Sequence, residues 1–241
     1  MPANPGIILT AASVTLGGKV ILPPLSLTLS EARIGIVGRN GSGKSTLLRL
    51  MAGLIAPSEG AVSVDGIDPS GDRKGLIQRL GILFQNPDHQ IIFPIVEEEL
   101  AFGLRQLGHS PAQALAAARA CLARENRSHW GSVPVATLSQ GQRHYLCLLS
   151  VLLMEPATIL LDEPFSGLDI PTTAHLRRHL EGLAQRLITI SHDPGLLSGY
   201  DRVIWLEGGR VVRDGAAGAV LAEYVAAMAG GDGDAGADIT G

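Results

Sequence analysis

GRNGSGKST, residues 38 to 46, follows directly on the apolar run Ile34-Gly35-Ile36-Val37. Gly38, four further residues, then Gly43-Lys44-Ser45 is the spacing of a phosphate loop, in which a strand stops in a glycine-rich turn and opens a helix. Gly38, Gly41 and Gly43 permit positive φ and close approach of bare backbone to an anion, so successive amides can point at phosphate oxygens. The following helix is expected over Lys44 to Leu54, with Leu47, Leu48, Leu50, Met51 and Leu54 on its apolar face, and it adds the positive end of its dipole. The pattern assigns Lys44 to the β- and γ-phosphates and the Ser45 hydroxyl to Mg²⁺. The whole stretch, Gly38, Arg39, Asn40, Gly41, Ser42, Gly43, Lys44, Ser45 and Thr46, is then a nucleotide cradle for ATP.

Around this loop, 241 residues suffice for one large domain or two small ones. A formal net charge of −4 argues against a general nucleic-acid binder, which would show a basic face. The longest apolar run, Tyr145 to Met154, is about half of the roughly 20 residues that a membrane span requires. MPANPGI at the start lacks the charged-then-apolar pattern of a secretion signal. The expectation is a cytosolic chain that reaches a membrane through a partner, with no direct insertion. Cys121 and Cys147 lack metal or disulfide spacing and read as buried small residues. His175 and His179, one helical turn apart in HLRRH, have no third ligand nearby and read as a solvated helix face.

Residues 7 to 37 read as short strands broken by turns: IILTAASVTL, Gly17-Gly18, KVIL, Pro23-Pro24, LSLTL and RIGIV. AVSVDG and RLGILF look like further strands. After Gln85 the pattern becomes helical, in EEELAFGLRQL, Pro111 to Leu122 and Gln140 to Met154. From Thr158 the alternation returns. TILLD is a buried strand, Thr172 to Leu183 a helix, LITIS a strand, a short helix starts at Pro194, and RVIWL and RVVRD flank the turn Gly208-Gly209. Alternating strands and helices indicate an α/β fold with a mainly parallel sheet covered on both faces. The expected organisation is one domain over 1–228, with its core in 1–84 and 156–228, a helical block over about 85–155, and a flexible Gly/Asp/Ala-rich tail at 229–241.

ILLDE, residues 159 to 163, is an apolar strand ending in two carboxylates. In a phosphate-loop fold Asp162 would hold Mg²⁺ at the carboxyl end of its strand, which leaves Glu163 to orient and deprotonate a water. LSQGQ, formed by Leu138, Ser139, Gln140, Gly141 and Gln142, resembles the signature of ABC ATPases and lies some twenty residues before ILLDEP, as in that family. Gln85 in LFQNP resembles the Q-loop glutamine, Ser166-Gly167-Leu168-Asp169 the D-loop, and His192 in ITISHD the switch histidine. The elements occur in the family's order and cover about residues 7 to 215.

The resemblance implies a P-loop NTPase of ABC ATPase type, with an N-terminal antiparallel β subdomain and an inserted α-helical subdomain. It further implies head-to-tail pairing, in which Ser139 and Gly141 of a second ATPase subunit, the same chain or a relative, close over ATP on the first. Gln85 would contact Mg²⁺, His192 would touch the γ-phosphate and steady Glu163, and Asp169 would report across the dimer. Three departures stand out. Leu16 occupies the place of the aromatic that stacks on adenine, at a cost of roughly 1 kcal/mol. Gln140 replaces the usual signature glycine, and Tyr145 stands where arginine is common. None touches Lys44, Asp162, Glu163 or His192, so hydrolysis should survive.

QNPDHQIIFPIVEEELAFGL resembles the ATPases of energy-coupling-factor importers for vitamins, biotin foremost, or for cobalt or nickel. Those ATPases work at the cytoplasmic face of the membrane beside a transmembrane coupling protein and a substrate-capture protein. Many relatives carry a C-terminal helical extension where this chain has only VLAEYVAAMA, so pairing is expected to lean on ATP and the membrane partner. Asp88 and the run Glu97-Glu98-Glu99 are expected to supply part of an acidic wall for an arginine-bearing helix of that partner. The rivals are another ABC transporter class, or a soluble mechanical ABC protein. The second would bring heptad-repeat arms or a second ATPase domain, and the sequence has neither.

Overall fold

A computed structural model describes residues 6–230. β1 (Ile7–Leu16) buries Ile7 and Leu9, breaks step at Ala11, and then buries Ala12 and Val14. It is the middle strand of a three-stranded antiparallel sheet between β2 (Lys19–Leu29) and β4 (Glu59–Val64). β2 runs straight through Pro23-Pro24, where the sequence suggested a break. It is an edge strand, and the prolines fall in the bulge between the pairs Val14↔Leu22 and Ala12↔Leu25. No ladder hydrogen bond is lost there.

The second sheet has six strands in the order β5 (Leu80–Leu83), β6 (Thr158–Asp162), β7 (Arg186–Ile190), β3 (Arg33–Val37), β8 (Arg202–Glu207) and β9 (Arg210–Gly215). All neighbours are parallel except β8 and β9. Asp162 pairs with Ile190 and Ile190 with Ile36, so β6, β7 and β3 end level, side by side. That row of carboxyl ends is where an open parallel sheet gathers ligands.

Seven α-helices cover these sheets among the described residues: α1 (Lys44–Met51), α2 (Arg73–Ile77), α3 (Val96–Gln106), α4 (Pro111–Arg124), α5 (Gln140–Leu153), α6 (Ile170–Glu181) and α7 (Ala217–Gly230). α1 stops three residues short of Leu54 because Gly53 takes φ +65 and ends it. α2 has no counterpart in the sequence reading; five residues are too few to show a period. α7 runs two residues into the segment expected as a flexible tail, and 231–241 lie outside the described residues. One core lies around α1 and the three-stranded sheet, a second joins α3, α4 and α5 to the sheet, and a third seats α7 on β8. Cys121 and Cys147 are buried thiols, and no described helix is long and apolar enough to cross a membrane.

Candidate functional site

β3 delivers the chain into the glycine-rich loop at Gly38. Gly38 has φ +153, and a Cβ there would sit 2.1 Å from the Leu206 carbonyl oxygen, so only glycine fits. The loop rests on the β8–β9 turn, where the Gly209 amide donates to the Ser42 carbonyl at 2.9 Å. Residues 38–46 line a cleft of about 670 Å³ together with Gln85, Asp162, Glu163 and His192. Lys44 is buried and donates to the carbonyls of Gly38 (2.8 Å) and Arg39 (2.9 Å) in its own loop. Burial pulls its pKa down, against the opposing pull of Glu163, Asp162 and Glu207. The ammonium is thus parked among neutral oxygens that it can exchange for anionic ones.

The donor set fits a nucleoside triphosphate with Mg²⁺. The Ser42 hydroxyl is buried with no hydrogen-bond partner among the described residues, beside a cradle that a Cβ would fill. Ser45, Gln85 and Asp162 line the same cleft and offer the hard oxygen donors that Mg²⁺ takes.

Asp162 ends β6, and the backbone turns at once. Glu163 takes φ +48, a left-handed conformation that costs a non-glycine residue about 1–2 kcal/mol. Its amide is held by the Ile190 carbonyl at 3.0 Å, and its side chain lies in the cleft. Glu155 has a similar φ at an exposed helix end; what sets Glu163 apart is that its strained backbone aims a carboxylate into the cleft. Burial raises the pKa of Glu163, with His192, Lys44 and Asp162 as the charged neighbours, and burial likewise raises Asp162. His192 Nδ1 lies 2.8 Å from Glu163 Oε2. A carboxylate made more basic by burial, and fixed by an imidazole, is equipped to take a proton from water.

The remaining motif residues surround this cleft without all entering it. Gln85 Nε2 donates to Ser166 Oγ at 3.3 Å, and an adjoining cavity of about 390 Å³ is lined by Gln85, Asp88, Gln140, Arg143, Ser166 and Gly167 among others. Ser139 and Gln142 form a reciprocal capping box at the start of α5. Gly141 permits close approach of α5 to α6, since a Cβ there would lie 2.8 Å from Thr172 Cγ2. Asp169 caps α6 through the Thr172 amide at 2.8 Å. Leu138 is buried, and Leu168 packs against the same core. Ser139 and Gly141 do not line the cleft that holds Lys44; they line a separate surface pocket with Tyr145 and His175.

Several expectations change. Leu16 is half exposed and does not line the cleft, where β2 contributes Ile21 instead. The acids divide. Glu99 is buried and accepts from the amides of Ile92 (2.9 Å) and Phe93 (2.8 Å), so it braces a loop and cannot meet a partner. Glu97 is bound to Arg119 at 2.8 Å, and Asp88 lies 3.6 Å from Arg143. Glu98 is exposed with no ion pair among the described residues. His175 and His179 are not a solvated face. Both pack edge-on against Tyr145, His179 Nε2 lies 3.2 Å from Glu125 Oε2, and the Tyr145 hydroxyl donates to the same carboxylate. Tyr145 thereby joins α5 to α4 and α6. Tyr224, from α7, lines the cleft and was not expected there. The apolar spacing Val220, Leu221, Tyr224, Met228 was the signal available.

The family model described as ABC transporter matches residues 22–166. A biotin transport ATP-binding protein, BioM of Rhodobacter capsulatus, is 54% identical over 211 residues, which is 88% of this chain and 90% of that protein. A cobalt import ATP-binding protein, CbiO of Syntrophus aciditrophicus, is 34% identical over 202 residues, 81% of this chain and 72% of its own. Among solved structures, CbiO1 of Clostridium perfringens, described as part of the transporter complex CbiONQ, superposes with a TM-score of 0.76 at 27% identity, over 92% of this chain and 93% of that one. The chain is a member of the ABC transporter family of ATP-binding proteins.

Proposed function

We propose that this chain is the ATP-hydrolysing subunit of an energy-coupling-factor importer, and that the cargo is biotin. What carries the reading is its high identity, over nearly the whole of both chains, to a protein named for biotin transport. Lys44 and the loop amides hold the β- and γ-phosphates. Ser45, Asp162 and Gln85 would hold Mg²⁺, which when bound neutralises phosphate charge. Glu163 takes the proton of the attacking water, and His192 holds Glu163 in place. Ser139 and Gly141 of a second ATPase subunit close the cleft, and Asp169 links the two sites. One domain over 1–228, with its helical part over about 85–155, works at the cytoplasmic face of the membrane, docked on a transmembrane coupling protein through the helical part with Glu98 foremost.

The test is uptake by native cells lacking this chain, re-supplied with the parent or with Lys44→Ala. Tritiated biotin uptake should return only with the parent. If labelled cobalt uptake is lost instead while biotin uptake persists, the cargo is a metal ion. If neither depends on the chain, it does not serve such an importer.

A further inference from the structure

The chain leaves α4 through Asn126, whose φ of +55 turns the backbone, and Arg127 comes next. The Arg127 amide donates to the Leu122 carbonyl at 2.7 Å, and its carbonyl accepts from the Trp130 amide at 2.8 Å, so the backbone of this arginine is held from both sides. Its side chain is held as well. The guanidinium carbon lies 4.4 Å from the centroid of the Trp130 ring and 5.3 Å from that of Tyr145, and both aromatic residues are buried. Aromatic faces attract the charge of a guanidinium and stack on its plane.

What the guanidinium lacks is an anion. Among the described residues its Nε is buried without a hydrogen-bond partner, and it forms no ion pair. Glu125, two residues earlier, is taken by His179 and the Tyr145 hydroxyl. A partly buried charge left unpaired carries a desolvation penalty, which an incoming anion offsets. The place for one is open. Arg127, Trp130, Tyr145 and His175 line a surface pocket of about 300 Å³ together with Ser139 and Gly141, and no carboxylate lines it among the described residues. Arg127 is absent from the lining of the cleft that holds Lys44, so the anion it faces is not one bound on its own phosphate loop.

We infer that Arg127 binds phosphate in trans, its guanidinium contacting the terminal phosphate of ATP held on the phosphate loop of a second ATPase subunit, beside Ser139 and Gly141. This rests on the reading that those two residues close the partner's cleft. Arg127→Met keeps an unbranched stem against Trp130 and removes the charge, whereas Arg127→Lys keeps the charge. In the assembled transporter the methionine variant should raise KM for MgATP about tenfold or more, the effect of one hydrogen bond to a charged group, and the lysine variant should recover most of that loss. The purified full chain, dilute enough to be monomeric, reports on its own cleft through a fluorescent ADP analogue with Mg²⁺. Its Kd should stay within twofold of the parent in both variants. Ser139→Arg fills the pocket and should abolish turnover. With that variant inactive, a KM for Arg127→Met within twofold of the parent overturns the inference and leaves closure by a second subunit standing. So does a Kd for the ADP analogue raised as far as KM, because the effect then lies in the variant's own cleft. Equal losses in the methionine and lysine variants overturn it too, because packing and not charge then explains them. Normal turnover by Ser139→Arg removes the closure reading and this inference with it.

Discussion

Replacing Glu163 by glutamine separates basicity from everything else the residue does. The carboxylate Oε2 lies 2.8 Å from His192 Nδ1, a contact that an amide oxygen of the same shape can keep. The positive φ stays, and so does the Ile190 hydrogen bond to the Glu163 amide. What is lost is the proton acceptor, worth about 10²- to 10⁴-fold in turnover, or roughly 2.7–5.5 kcal/mol at 1.36 kcal/mol per decade. MgATP should still bind, and ATP-loaded dimers should accumulate. Stability provides an independent check whose sign follows from burial. Glu163 has a folded pKa raised above its unfolded value, so its contribution to stability is present in acid and is lost as pH rises through the folded pKa. Above that pH the ionised side chain is a net cost of folding. The glutamine variant should therefore melt no lower than the parent at pH 8, and its advantage should vanish below about pH 4, near the unfolded glutamate value. The same burial places the acid limb of kcat/KM above the ordinary glutamate range, and that limb should be missing from the variant's residual rate. The assay is steady-state phosphate release by the assembled transporter across pH, with thermal melts alongside. Turnover within threefold of the parent would refute Glu163 as the base. A marked fall in melting temperature at pH 8 would refute the electrostatic account.

Leu16 is aliphatic and outside the cleft, so ATP and GTP should compete within about tenfold for binding; a preference above a hundredfold, about 2.7 kcal/mol, would mean that another residue reads the base. Glu155 follows α5 with φ +51 and is exposed, the place where helices favour glycine. Glu155→Gly should stabilise the chain by about 0.5–1 kcal/mol after the added flexibility of the unfolded chain, or roughly 1–4 °C in Tm, and a lower Tm contradicts this. Glu98→Lys should detach the chain from membranes with its melting temperature unchanged, whereas Glu99→Lys should lower the melting temperature by leaving a buried charge and two loop amides without partners. Equal effects of the two on membrane binding would place the docking surface elsewhere.

The difference between Glu98 and Glu99 shows where sequence reading ends. Adjacent helical residues point about 100° apart, so the run Glu97-Glu98-Glu99 had to divide, but the spacing alone does not say which acid turns inward. That depends on the loop before α3, whose amides at Ile92 and Phe93 need an acceptor, and Glu99 supplies it. Pro23-Pro24 is a similar case. Two prolines read as a break until the strand order places them in an edge-strand bulge. The phosphate loop, the strand ending in Asp162-Glu163 and the switch histidine were legible for the opposite reason. Each is a short run of residues at the carboxyl end of a strand, so its pattern is written in consecutive residues.

Tyr224 lies between these two kinds of residue. Its helix follows the last strand without any motif, and the apolar spacing that buries it says only that one face is covered. What lies under that face depends on the sheet. The order β7-β3-β8-β9 sets β8 beside the strand that feeds the phosphate loop, and α7, returning over β8, arrives at Val37 and Arg39. Long-range neighbours of this kind carry no local signature, yet they set how firmly the loop is held. A loop built of glycines for close approach to phosphate is intrinsically mobile, and its rigidity has to come from the elements around it. Here these are the β8–β9 turn beneath Ser42 and the C-terminal helix beside Arg39. Nucleotide affinity in this chain should accordingly respond to substitutions in α7 that leave every motif residue intact.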